Sequence, residues 1–191
     1  MIKTISAIND YNKRANNGYL GFLYIGLMID DQNKIKVLEY NCRLGDPETQ
    51  NLMLTLHNKD INLLDLIMNQ PINNIKDINL DRIDKEDASF CCTLVLAAQG
   101  YPGKFMKHFY IDHSDVIENN KIKIFHAGTV LKNNKLQSTG GRILTVNVYA
   151  ENKDDAIAIA YENIKKIKIF EDEEMLVRNQ DLVFYREDIG T

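Results

Sequence analysis

Apolar and polar positions alternate most clearly over residues 142–150, where Ile143, Thr145 and Asn147 oppose Leu144, Val146 and Val148. An alternation of period two predicts a β-strand with one face buried. Longer apolar runs bounded by turn residues predict further strands. These strands are expected at 19–30, 35–41, 89–98, around Phe109, and at 122–125, 129–131 and 182–185.

The sequence predicts helices over 47–56, 60–69 and about 152–167, of which the first does not place its leucines Leu52, Leu54 and Leu56 on one face. Asn152 is a suitable cap for the last of them, and its apolar stripe is Ile157, Ala160, Ile164 and Ile167. The turn residues at 31–34 separate two strands, which predicts an antiparallel hairpin. The fold class expected is therefore α+β, with one long helix in its β-rich second part.

The strand at 35–41 and the turn after it carry the strongest candidate chemistry. Strict alternation puts Glu39 and Asn41 on one face with Ile35 and Val37, about 7 Å apart along the strand. Carboxylate and amide oxygens are ligands that Mg²⁺ accepts while it keeps waters and phosphates. Arg43 follows, and its guanidinium is suited to hold a phosphate.

The residues after Arg43 predict the start of a helix. Asp46 is expected to cap it, with Pro47 at the first helical position and Glu48 in the first turn, where the helix dipole favours a carboxylate. Taken alone, these residues also suit an ordinary solvated strand face followed by an ordinary helix start.

Composition excludes several classes of protein. The 191 residues are 45% hydrophobic with a net charge of −4, and no basic block indicates nucleic-acid binding. No apolar run approaches the roughly 20 residues of a membrane span, and the first residues lack the apolar core of a signal peptide. The 3 cysteines form neither a disulfide framework nor a zinc spacing, which favours a reducing, cytoplasmic setting.

One run resembles the signature of the phosphoribosylamine–glycine ligase family, also called glycinamide ribonucleotide synthetases, which are ATP-grasp enzymes. The run is Arg43-Leu44-Gly45-Asp46-Pro47-Glu48-Thr49-Gln50. Other stretches resemble the same family in the same order, at 21–30, 96–103, 125–129, 139–144 and 185–190. Together they cover nearly the whole chain.

The resemblance implies the C-terminal part of an ATP-grasp domain over 1–70, a connecting segment over 71–88, and the family's C-terminal domain over 89–191. It implies ATP-dependent joining of glycine to 5-phosphoribosylamine in purine biosynthesis. By the same match, Glu39 and Asn41 hold Mg²⁺ or Mn²⁺ and Arg43 is catalytic, against the phosphates. Asp46 and Glu48 either contact substrate or stabilise the start of the helix.

Other interpretations of the sequence stay open. The family's chains are longer, so we expect this chain to be inactive alone and to need a separate chain with the N-terminal half. Another ATP-grasp carboxylate–amine ligase, a non-catalytic remnant and a structural subunit are the alternatives. His126 is expected to be structural, Arg142 binds phosphate or forms a salt bridge, and the acidic residues 171–174 form a solvated loop.

Overall fold

The computed structural model describes residues 7, 8, 10, 21–68 and 89–190. The chain forms two compact units, which divide between Asp46 and Pro47. The connecting segment expected at 71–88 lies outside the described residues. The three-part domain division stays a prediction.

The first unit contains the expected antiparallel hairpin of β1 (Tyr24–Ile29) and β2 (Ile35–Asn41). Asp30 closes its turn, because Oδ1 accepts hydrogen bonds from the backbone N–H groups of Gln32 at 3.0 Å and Lys34 at 2.9 Å. Asn33 adopts a left-handed φ of 58°, a conformation that asparagine tolerates in turns.

A β-bulge interrupts this hairpin at Leu38. Gly26 pairs with Glu39, whereas the next residue, Leu27, pairs with Val37, so Leu38 is the extra residue on β2. Because paired residues share a face, Glu39 lies with Gly26, on the face opposite Val37. The expectation that strict alternation keeps Glu39 and Asn41 with Ile35 and Val37 is therefore wrong, since one inserted residue shifts the phase of the strand.

The second unit combines helices with two four-stranded antiparallel sheets, whose strand orders are β10-β3-β8-β5 and β6-β7-β4-β9. Its helices are α1 (Glu48–Asn58), α2 (Leu63–Met68) and α3 (Lys153–Ile164). Its strands are β3 (Phe90–Ala98), β4 (Tyr110–Asp112), β5 (Ile122–His126), β6 (Thr129–Lys132), β7 (Lys135–Ser138), β8 (Arg142–Ala150), β9 (Lys168–Phe170) and β10 (Val183–Phe184). The expected α+β class is confirmed.

The core of the second unit joins both sheets to α3. Leu94 of β3 and Val146 of β8 are fully buried, as are Ile169 of β9 and Ala160 of α3. Asn152 caps α3 as expected, because its Oδ1 accepts a hydrogen bond of 2.8 Å from the N–H of Asp155. Helix α3 packs on both β3 and β8.

Helix α1 belongs to this second unit and packs on β3 and β8. The Asn51 side-chain N–H donates to the Cys91 carbonyl at 2.9 Å, and that of Asn58 donates to the Asn120 carbonyl at 2.8 Å. Leu54 is buried between these two contacts. The residues directly after the family signature are thus attached to the β-rich unit.

Two helix starts differ from the sequence expectations. Helix α1 begins at Glu48 with Pro47 at the cap position, where proline has no side-chain acceptor to offer, so the expected Asp46 cap with Pro47 as first helical residue is wrong by one position. Helix α2 begins at Leu63 and not at 60, because Asp60 has a left-handed φ of 52°, which a helix does not accept. Within the described ranges, none of the helices has both the length and the apolar character that crossing a bilayer requires.

Candidate functional site

Glu39 and Asn41 share one face of the hairpin near the end of β2. Their partners across the hairpin are Gly26 and Tyr24. Glu39 is exposed, and its side chain lies over Gly26: a Cβ atom built on that glycine would come within 3.0 Å of the Glu39 Cγ. The two candidate ligand side chains therefore leave the strand on the same side.

Asn41 carries an unsatisfied polar atom. Its Nδ2 is buried and has no hydrogen-bond partner within the described ranges. An unpaired buried amide costs about 1–3 kcal/mol, which a bound group can recover. The side-chain amide can also turn by half a rotation, which puts Oδ1 in that place. The site is thus chemically fitted to accept either a phosphate oxygen or a cation.

Arg43 is exposed beyond the end of β2, and its Nη1 donates a hydrogen bond of 3.0 Å to the Leu44 carbonyl. A guanidinium has five N–H donors, so this local bond leaves most of them for other groups. Asp46 and Glu48 are also exposed. Glu48 begins the second unit, in the first turn of α1, where a carboxylate is favoured by the helix dipole.

Across residues 21–68 and 89–190, no group of three or more His, Cys, Asp or Glu side chains is arranged to hold a metal ion. A site built from Glu39 and Asn41 has only two protein ligands. That number suits Mg²⁺, which commonly binds one or two protein oxygens and keeps water and phosphate in its other positions. The ligand roles of Glu39 and Asn41, and the roles of Arg43, Asp46 and Glu48, stay predictions.

His126 lies against a second histidine. It ends β5, its ring centroid is 5.3 Å from that of His113, and its Nδ1 is 3.2 Å from the Thr129 hydroxyl oxygen. Partial burial and the nearby His113 lower the pKa of His126, against the opposite effect of Glu118. Nothing in the spacing of these two separate segments indicates from sequence that the rings of His113 and His126 meet.

Arg142 contacts an aromatic ring. Its guanidinium carbon lies 5.9 Å from the centroid of Tyr101, within the range of a cation–π interaction. Gly141 allows this approach, since a Cβ atom there would come within 2.0 Å of the Tyr101 ring. Two of the stretches that resemble the family, 96–103 and 139–144, therefore meet in space.

The acidic residues 171–174 belong to an ordered loop. The Asp172 carboxylate accepts hydrogen bonds from the backbone N–H groups of Leu176 at 3.0 Å and Val177 at 2.7 Å, which lower its pKa. Glu173 is tied to the β6–β7 turn: its Oε1 accepts a bond of 2.8 Å from the Asn133 side chain, and its carbonyl accepts one from Lys135. Part of the acidic stretch thus holds this loop on the sheet.

The Cys91 thiol is unsuited to nucleophilic chemistry. Burial raises its pKa to about 11, a hydrogen bond with Thr55 only partly opposing this. The thiol therefore stays protonated near neutral pH.

Comparison with known families gives two matches along the chain. Residues 91–191 match Phosphoribosylglycinamide synthetase, C domain, and residues 2–49 match Phosphoribosylglycinamide synthetase, ATP-grasp (A) domain. The second match includes the hairpin with Glu39 and Asn41.

Curated relatives and a solved structure agree with these matches. The chain is 36% identical over 181 residues to a phosphoribosylamine–glycine ligase of Fusobacterium nucleatum, covering 94% of this chain and 38% of the relative. The chain is 37% identical to the ligase of the same name from Synechocystis, and the match covers 94% of this chain and 39% of the relative. A crystal structure of phosphoribosylamine–glycine ligase from Thermotoga maritima has a TM-score of 0.60 at 31% identity, over 88% of this chain and 38% of that chain. The chain thus spans less than two fifths of the length of these relatives.

Proposed function

This chain belongs to the phosphoribosylglycinamide synthetase family, and from that premise we propose that it forms part of a phosphoribosylamine–glycine ligase. The reaction joins glycine to 5-phosphoribosylamine and consumes ATP, giving glycinamide ribonucleotide, ADP and phosphate in de novo purine biosynthesis. The observation that carries the proposal is the pairing of Glu39 and Asn41 on one hairpin face, with Gly26 and Tyr24 as their partners. We place the enzyme in the cytoplasm.

The chemistry has two steps. The glycine carboxylate attacks the γ-phosphorus of ATP and ADP leaves, which gives a glycyl phosphate. The amine of 5-phosphoribosylamine then attacks the glycyl carbonyl carbon, an amide bond forms, and phosphate leaves with the loss of the amine proton. Both steps move negative charge among phosphate oxygens, so positioning and charge neutralisation are what the protein has to supply.

Glu39 and Asn41 are the residues that would hold the divalent cation, which is Mg²⁺ or Mn²⁺. The exposed Glu39 carboxylate and the unsatisfied amide of Asn41 fit such an ion. When bound, the ion neutralises the charge of the ATP phosphates. Arg43 donates N–H groups to the transferred phosphate, because its guanidinium fork matches phosphate geometry. We propose contact with substrate for Asp46 and Glu48 as well.

A further part of the enzyme completes the nucleotide site. The relatives are longer than the matched region, and the described hairpin has apolar side chains exposed on both faces. They are Leu27, Met28, Ile29, Ile35, Val37, Leu38 and Tyr40. Exposed apolar surface of this kind indicates a contact with protein. The contacting part is the remainder of the ATP-grasp domain, on the same polypeptide or on a separate chain.

The test is glycine-dependent ADP release in the presence of 5-phosphoribosylamine. The 191-residue chain is assayed alone and with the N-terminal portion of the Fusobacterium nucleatum relative. Turnover should appear only in the mixture, and Glu39→Ala should abolish it. Lys36→Ala, a change at an exposed residue of the same strand, is the matched control and should leave turnover intact. Turnover that survives Glu39→Ala contradicts the metal role of Glu39. No turnover in any mixture contradicts the proposed activity and favours a non-catalytic subunit.

A further inference from the structure

We infer that Gly26 is a positioning residue for the Glu39 carboxylate: the missing side chain leaves the space in which Glu39 crosses β1 toward the metal. This inference rests on the proposed function, since it concerns the same cation. It adds a residue on the opposite strand to the candidate site.

The register of the hairpin brings the two residues together. Glu39 is the Cα partner of Gly26, and Asn41 is the partner of Tyr24. This pairing exists because Leu38 is bulged out of the ladder. Bulges are a known means of redirecting a side chain beside an active site. In a regular ladder that included Leu38, alternation would place Glu39 on the face of Val37, away from this arrangement.

The important property of Gly26 is that it has no side chain, because the backbone conformation at this position does not require a glycine. The described glycines with a left-handed φ are Gly21, Gly100 and Gly190, and Gly26 is not among them. Glycine inside a strand weakens the strand and often marks a bulge or a close approach, and Gly26 lies both beside the bulge and close to another side chain. The approaching group is Glu39: a Cβ at Gly26 would lie 3.0 Å from its Cγ, 3.7 Å from its backbone nitrogen and 3.7 Å from the Leu38 Cβ.

An added methyl group would therefore move Glu39 and leave the fold in place. The tightest contact is with a side-chain carbon, which can rotate, while the backbone nitrogen stays at an ordinary distance. Rotation of the Glu39 side chain displaces its carboxylate relative to Asn41. Gly26→Ala thus separates metal binding from stability, and Gly26→Val, with a bulkier side chain, should have the larger effect.

The experiment uses Mn²⁺ as a paramagnetic probe of the ¹⁵N-labelled 191-residue chain. In the wild type, Mn²⁺ should broaden the amide signals of Glu39 and Asn41 at the lowest concentrations. Gly26→Ala should raise the apparent Mn²⁺ dissociation constant about tenfold, the order seen when residues supporting a ligand are changed. Thermal unfolding is measured in parallel and should be unchanged. Leu27→Ala, whose partner Val37 is on the other face, is the control and should bind Mn²⁺ like the wild type.

Each result tests either the proposed cation site or the positioning role of Gly26. If Mn²⁺ broadens no hairpin signal in the wild type, the cation site of the proposed function fails, and the positioning role fails with it. If the wild type and Gly26→Ala bind Mn²⁺ equally, the positioning role alone is overturned. If Gly26→Ala loses the dispersed hairpin signals, glycine is needed for folding there and the inference is also overturned.

Discussion

Single polar atoms hold the last residues of the chain in place. The Tyr161 hydroxyl on α3 donates a hydrogen bond of 3.0 Å to the Arg186 carbonyl and accepts one of 3.0 Å from the Ile189 N–H. Beside it, Gly190 packs so closely on Ile157 that a Cβ would come within 2.5 Å of the Ile157 Cδ1. The stretch 185–190, one of those that resemble the family, is therefore held on α3 by the Tyr161 hydroxyl and by the packing of Gly190 on Ile157.

Removing that hydroxyl should loosen the C-terminal residues. Tyr161→Phe removes two hydrogen bonds near the surface, and each typically contributes about 0.5–1.5 kcal/mol to the free energy of unfolding. Urea denaturation measures the loss, and faster hydrogen exchange at the Ile189 amide locates it. The control is Tyr149→Phe, since the Tyr149 hydroxyl has no hydrogen bond within the described residues. Equal losses in both variants would contradict the assignment.

His126 should make stability depend on pH. Its pKa is lowered in the folded state, so the unfolded chain binds more protons in the usual histidine range around pH 6.5. The stability that neutral His126 contributes to the folded state is complete above that pH range, and it is lost as the pH falls through the range. Urea denaturation of the wild type should show this decline, and His126→Gln should show a shallower one. His57→Gln, at an exposed histidine of α1, is the control. Identical pH profiles for wild type and His126→Gln would contradict the assignment.

At the scale of elements, two glycine turns are packed backbone against backbone. A Cβ on Gly128 would come within 2.6 Å of both the Arg142 carbonyl oxygen and the Gly140 Cα. Hydrogen bonds join the same segments, from the Gly128 N–H to the Arg142 carbonyl at 2.8 Å and from the Thr139 N–H to the Gly128 carbonyl at 2.8 Å. These contacts hold the loop between β5 and β6 against the loop between β7 and β8.

A side chain at Gly128 should separate these loops. Gly128→Ala forces backbone atoms apart, and overpacking of this kind costs about 1–3 kcal/mol. Thermal or urea denaturation measures the loss. Gly103→Ala is the matched control, because its Cβ would meet a single atom, the Gly100 carbonyl oxygen, at 3.2 Å. A smaller loss for Gly128→Ala than for Gly103→Ala would refute the packing argument.

Sequence patterns predicted the elements whose signals are local. Strand β8 has the predicted bounds of 142 and 150, and Asn152 caps α3 as expected. The bulge at Leu38 was missed, because alternation assumes a regular ladder and only the partner strand reveals the extra residue. The packing of α1 on β3 was not predicted for a similar reason. The hydrogen bond from Asn51 to Cys91 joins residues 40 positions apart, and no periodic pattern in the sequence indicates it.

At the scale of the whole molecule, the hairpin is one of the regions of the described chain where several exposed apolar residues lie together. Ile29 and Ile35 pair across the two strands and are 62% and 64% exposed. The candidate ligands follow on the same β2 strand, past the bulge. The surface for which we propose a contact with the remainder of the ATP-grasp domain thus adjoins the candidate site along the chain.

The hairpin should make the isolated chain self-associate. Ile35→Lys introduces a charge into its apolar surface, and it should reduce concentration-dependent association in sedimentation velocity while unfolding of the β-rich unit is unchanged. Leu176→Lys is the control, because Leu176 is 81% exposed but lies in the loop after β9. If both variants reduce association equally, the hairpin is not the surface responsible.

The bulge at Leu38 also bears on how this hairpin can change over evolution or in redesign. On a regular strand, inserting or deleting one residue inverts every side chain beyond it, which would be fatal to a site at the far end. Here the inversion is already built in, so the turn end, with Ile29 and Ile35, and the ligand end, with Glu39 and Asn41, have opposite phases. An insertion or deletion of one residue between Glu39 and Asn41 would therefore put the two candidate ligands on opposite faces of the hairpin.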